Sequence, residues 1–138
     1  MKTIGSIQKE VRRIGKIVCG ERKPRFLFSV ASSPTHNGVP HVELVGDEYH
    51  FVVTERGSEF ERLRTTDIDE LLYWLVSSDV SQLARDWELA LRGENQDSRR
   101  LWFHKELELL EQIKSEWSQK RRSHQMKILS EHPFNDNL

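Results

Sequence analysis

The sequence predicts an α+β fold: an N-terminal helix, a three- to four-stranded antiparallel sheet, then a C-terminal bundle of about three helices. Two observations predict it. Apolar residues recur at spacings of three and four over the first twenty positions, then fall into short runs broken by turn residues. Beyond Thr66 the spacing becomes helical again, and no proline occurs between Pro40 and Pro133. Strand-like and helical segments are thus segregated along the chain, which is the α+β pattern. At 138 residues, 36% hydrophobic and 9% aromatic, the chain has the length of one domain with a real core, expected to span residues 1–138.

In the first helix Ile4, Ile7, Val11, Ile14 and Val18 form one stripe, Lys9, Arg12, Arg13 and Lys16 occupy the other faces, and Gly20 marks the end. RFLFSVA (25–31), HVELVG (41–46) and EYHFVVTER (48–56) read as strands, bounded by SSPTHNG and the Gly46-Asp47 turn, and GSEFERLRT adds a fourth. The connections are short enough for hairpins, so an antiparallel meander is expected. A two-residue turn at Gly46-Asp47 sets Glu43 opposite His50 and His41 opposite Val52. Val42, Leu44, Tyr49, Phe51 and Val53 then share an apolar core face, and His41, Glu43, His50, Thr54 and Arg56 share the other.

Three helices should follow. The first covers 67–92, with SSDVS (77–81) as the place where it would bend and Gly93 as its close. The second runs from about Asp97 to Lys114 with Phe103, Leu107 and Leu110 on one stripe, and the third from Ser115, read as its N-cap, to about Leu129 before HPF stops it. Leu71 and Trp74, the Phe103 stripe, and Tyr49, Phe51 and Val53 are the expected core.

Charge and cysteine content narrow the function classes. Lys and Arg number 21 against 22 Asp and Glu, so no whole-molecule field favours nucleic acid or anionic lipid. The balance hides an asymmetry, because eight Lys/Arg face two Glu between Met1 and Arg25. A basic first helix can dock something acidic. Cys19 is the single cysteine, so no internal disulfide or thiolate cluster forms and a reducing compartment fits. The N-terminus lacks the apolar core of a signal peptide, and no apolar run approaches the roughly 20 residues that span a bilayer, so a cytoplasmic location is expected.

The stretch TTDIDELLYWLV sets Asp67, Asp69 and Glu70 directly before an apolar run. Thr66 and Asp69 have capping-box spacing, and a helix start accounts for all three acids; the calcium-loop pattern with its central glycine is absent. His41, Glu43 and His50, with Thr54 and Arg56, are the kind of set a metal-independent ribonuclease uses for proton transfer and phosphate binding. An ordinary solvated sheet face, or one that meets a partner, is the stronger reading, since nothing fixes a nucleophile. Arg99-Arg100 and Lys120–Arg122 read as solvated helix faces, and His104, His124 and His132 as surface or cap residues. Phosphate-loop, dinucleotide, HExxH and GxSxG motifs are absent, so no cofactor and no metal are expected.

YHFVVTERG, then TTDIDELLYWLV, then RGENQDSRRLWFHKELELLEQI, then EHPFND, resembles the Immunity protein 63 family of bacterial polymorphic-toxin systems, from the first helix to Asp136. The resemblance implies a cytoplasmic inhibitor, not an enzyme, that binds the C-terminal domain of a cognate toxin one-to-one in a contact-dependent inhibition or related secreted system. Many such toxins are nucleases with basic clefts, so an acidic plug is expected. Glu43, Glu48, Glu55, Glu59 and Glu61 would supply it from the sheet, and Asp67 and Glu70 from the adjoining helix start, with His50 and Arg56 as further toxin-binding residues.

Overall fold

A computed structural model describes residues 1–137, which divide into two compact units, Met1–Val76 and the residues from Ser77 onward. In chain order the elements are α1 (Ile4–Cys19), a short 3-10 turn (Gly20–Arg22), β1 (His41–Val45), β2 (Glu48–Glu55), β3 (Ser58–Thr65), α2 (Ile68–Leu91), α3 (Ser98–Glu111) and α4 (Ser115–Glu131). This is the predicted α+β order, with three strands.

α1 forms where the amphipathic stripe places it. The Thr3 side chain accepts from the Ser6 amide at the start, Gly20 ends it at φ 63°, and Ile7, Val11 and Ile14 are buried. Gly15 is buried beside them because Phe28 packs onto it: a Cβ at residue 15 would lie 2.6 Å from the Phe28 Cβ.

The sheet has the order β1-β2-β3, antiparallel throughout. Both hairpins are two-residue turns with the glycine chemistry such turns need: Gly46 at φ 60°, and Arg56 and Gly57 at 51° and 82°. The predicted register holds, with His41 on Val52 and Glu43 on His50. Between Val53 and Thr54 the β2–β3 register shifts, which leaves Phe60 unpaired as a bulge and 68% exposed.

Residues 25–31 do not form the expected strand. Leu27 donates to the Pro24 carbonyl in a turn, Phe28 has φ 56°, and Ala31 makes a single parallel bridge to His41. Leu27, Phe28 and Val30 are buried while Phe26 is 75% exposed, a pattern without strand alternation. Residues 36–38, beyond this segment, cover the sheet instead. The His36 amide donates to the Thr54 hydroxyl, the Gly38 amide to the Thr54 carbonyl, and Asn37 bridges Glu55.

That cover corrects a second expectation, that the His41 face is open to solvent. His41, His50, Val52 and Thr54 are all buried, so this part of the sheet is covered on both faces. The apolar face holds Val42, Tyr49 and Phe51 buried, with the Phe51 ring edge-on to Trp74 at 6.1 Å, whereas Leu44 is exposed. Leu71, Phe103 and Leu110 are buried as expected, and Val53, Trp74 and Leu107 are half-buried.

α2 runs without interruption through 77–81, where Ser77 and Val80 are buried. Its cap is Asp67, not Thr66: the Asp67 carboxylate accepts from the Asp69 amide, and the Thr65 hydroxyl accepts from the Asp67 amide. α3 is capped by Asp97, and α4 begins at Ser115 itself, one residue after its N-cap Lys114.

Candidate functional site

Position along the strands explains the main polar cluster. His41, Val52 and Arg62 lie in one row across the three strands, and Glu43, His50 and Arg64 in the next, so alternation sends all six side chains to one face. Arg62 reaches diagonally from its row into the other. Its Nη1 donates to Glu43 Oε1 at 3.1 Å and to His50 Nδ1 at 2.6 Å, and its Nε and Nη2 donate to Glu59 Oε1 at 3.0 and 2.6 Å. Glu43 Oε2 also accepts from His41 Nε2 at 2.7 Å. A guanidinium only donates, so His50 Nδ1 is the acceptor and the ring's proton sits on Nε2, 3.4 Å from Glu48.

The electrostatics follow from these bonds. The hydrogen bond from His41, and next that from Arg62, hold the Glu43 carboxyl below the ordinary glutamate range. Arg62 likewise lowers Glu59, and Glu59 and then Glu43 raise Arg62 above its usual value. The cluster is partly neutralised: Glu43 and Glu59 share the one Arg62 guanidinium.

This arrangement is poorly suited to proton transfer. His41 is fully buried, His50 is 4% exposed, and both His50 ring nitrogens are engaged. Among the described residues the buried His41 Nδ1 has no hydrogen-bond partner. A general acid or base must come within hydrogen-bond reach of substrate, and neither ring faces solvent. Among the described residues no group of three His, Cys, Asp or Glu side chains is placed to hold a metal ion.

Of the expected toxin-binding residues, the structure brings together Glu43, Glu48, His50 and Glu59. The others are dispersed. Glu61 pairs with Val53 and so belongs to the opposite face. Glu55 and Arg56 are exposed at the β2–β3 turn, and Arg56 does not share the His41 face because it is a turn residue. Asp67 is spent on the α2 cap and Glu70 is half-buried in its first turn. Sequence reasoning missed Arg62, the hub of the cluster. The Phe60 bulge reverses the alternation of β3 relative to β2, so counting from Glu59 puts Arg62 on the wrong face.

A second constellation lies in the unit from Ser77 onward. Buried Asp97 accepts from the Arg99 amide, from the Arg99 guanidinium at 2.8 Å, and from the Asn135 amide at 2.9 Å. Arg99 in turn donates to the carbonyls of His132 and Pro133, Arg100 grips both oxygens of Asp136, and both guanidinium groups lie over the Phe134 ring. QDSRR and HPFND are therefore two halves of one clasp. Arg99 is not the solvated residue expected, and neither is Arg121, which is mostly buried near Glu106.

No helix among the described residues is long and apolar enough to cross a membrane. The family model described as Immunity protein 63 matches residues 46–127, a narrower span than the resemblance from the first helix to Asp136 but more than half of the chain. No curated protein and no solved structure matches. The matched stretch contains β2, β3, α2, α3 and most of α4, and with them His50, Glu59 and Arg62 of the polar cluster. By that match the chain belongs to the Immunity protein 63 family.

Proposed function

We propose that this chain is a cytoplasmic immunity protein that binds the C-terminal domain of a cognate toxin, one-to-one, and neutralises it, and that the toxin is a nuclease of a contact-dependent inhibition or related secreted system. The observation that carries the reading is membership of the Immunity protein 63 family over residues 46–127. The burial of His41 and His50, and their engagement by Glu43 and Arg62, support binding over catalysis. The test is co-expression with the C-terminal domain of a candidate cognate toxin. Rescue of growth together with a stable one-to-one complex is the expected result, and unrelieved toxicity without a complex would refute it.

Two contact surfaces follow from the charge distribution. The sheet-side carboxylates Glu43, Glu48, Glu55, Glu59 and Glu61, with His50, Arg56, Asp67 and Glu70, could plug a basic cleft. Charge reversal at Glu43, Glu55 and Glu59 tests that plug, since unchanged toxin affinity places the contact elsewhere. The commitment of Glu43 and Glu59 to Arg62 weakens their availability to a partner and favours a contact at the basic first helix.

A further inference from the structure

Lys2, Ser6, Lys9 and Arg13 follow one another at spacings of four, three and four, so they form a single stripe along α1 and the turn before it. The stripe forms one lip of a groove of about 510 Å³, whose lining also includes Ile7, Glu10, Ile68 and Leu72. Each wall has a reason to be where it is. The Lys2 amide donates to the Tyr49 hydroxyl at 2.6 Å, which fixes the approach to α1, and the Asp67 cap fixes the start of α2.

The floor is apolar and the rim is cationic. Ile68 and Leu72 are half-buried, one helical turn apart, beside buried Ile7. Glu10 is the one carboxylate of the lining, and Arg13 holds it through two hydrogen bonds of 3.1 and 2.7 Å. The ammonium groups of Lys2 and Lys9 are exposed and have no ion-pair partner among the described residues. Lys2 also acts on Glu10 through space, so the rim sets Lys2, Lys9 and Arg13 against one carboxylate and keeps a positive excess. An apolar cleft with such a rim is complementary to an apolar side chain flanked by carboxylates.

We propose that the α1–α2 groove is the docking site for the toxin, which enters it with an acidic segment bearing at least one apolar anchor. The proposal rests on the toxin-binding reading above. Contact here leaves the Arg62 cluster intact and accounts for the six-charge excess of the first twenty-five residues, which the nearly neutral whole does not require. The anchor supplies residence time, and Lys2 and Lys9 supply steering that weakens with salt.

The experiment is calorimetry of the full chain with the purified toxin domain, using four proteins: wild type, K2E/K9E, S6W, and R122E/K127E as a control with the same charge change at exposed positions in the second unit. Melting temperatures confirm that each is folded, and K2E/K9E carries the test if S6W is not. The expected result is a loss of about tenfold or more in affinity for K2E/K9E and S6W, with the control near wild type. Wild-type affinity in K2E/K9E would overturn the groove while leaving the toxin-binding reading intact. Equal losses in K2E/K9E and R122E/K127E would also overturn it, in favour of a whole-molecule charge effect. If wild type itself fails to bind the toxin, the toxin-binding reading fails and the groove proposal with it.

Discussion

Arg62 donates a 2.6 Å hydrogen bond to Nδ1 of His50, a ring that is almost wholly buried, and the same guanidinium holds Glu43 and Glu59. Replacing Arg62 by Ala leaves the buried His50 nitrogen without a donor, and such a loss costs about 1–3 kcal/mol. Arg62→Lys should recover little of it, because one ammonium cannot match a planar fork that serves three acceptors. Urea unfolding of the two variants beside wild type checks this. A midpoint for Arg62→Ala equal to wild type would mean that the cluster is incidental.

The Glu43 carboxyl gives the pH dependence of the same cluster. His41 and Arg62 depress its folded-state value below the unfolded one, so its contribution is complete above the ordinary glutamate value of about 4.3 and is lost as pH falls through the lower folded value. Glu43→Gln has no such charge to protonate. The stability gap between wild type and Glu43→Gln should therefore be widest near neutrality and shrink below about pH 4, and salt should narrow it, since the side chain is partly exposed. A gap that stays constant down to pH 3 would contradict this account.

Gly15 and Phe28 make a steric prediction in the same unit. A Cβ at residue 15 would sit 2.6 and 2.7 Å from Phe28 Cβ and Cγ, closer than real contacts allow, and Phe28 is fully buried with no room to retreat. Gly15→Ala should cost about 1–3 kcal/mol by overpacking, despite the better helix propensity of alanine. Gly5→Ala is the control. Nothing lies within 4 Å of a Cβ there, so it should be neutral or stabilising by up to about 1 kcal/mol. Thermal melts of the pair suffice; similar shifts in both would show that propensity, not the Phe28 contact, decides.

The contrast between Gly15 and Arg62 shows what the sequence made legible. The α1 stripe, the Gly46-Asp47 hairpin, the His41–Val52 and Glu43–His50 pairings and the helical half could all be read, because periodicity and turn chemistry are local. Residues 25–31 could not, because their strand-like composition is overridden by long-range use: Phe28 turns to φ 56° to fill the space over Gly15. The Phe60 bulge hid Arg62, since a one-residue insertion moves every later side chain to the other face. The candidate acids were correctly placed on strands and a helix start, but their ion-pair partners were set by contacts between segments, which spacing does not encode.

The clasp around Asp97 offers the strongest single-residue test in the second unit. Asp97 is buried, caps α3, and is held far below the ordinary aspartate range, first by the Arg99 guanidinium and then by the amides of Asn135 and Arg99. Asp97→Ala removes the cap and leaves Arg99 without its carboxylate, and breaking a buried pair in this way costs about 3–5 kcal/mol. Asp97→Asn keeps the shape and part of the cap but loses the charge, so it should fall between the two. The sign of the pH effect is fixed by the depressed value: the contribution is complete above about pH 4 and is lost as pH falls below it. Wild type should thus retain part of its advantage over Asp97→Asn at pH 3. Hydrogen exchange of the Asn135 amide gives a second readout, because that amide donates directly to Asp97 and should lose protection in Asp97→Ala under conditions where the protein stays folded. Unchanged protection there would mean that the 132–136 segment is held by Arg100, Asp136 and Phe134 without Asp97.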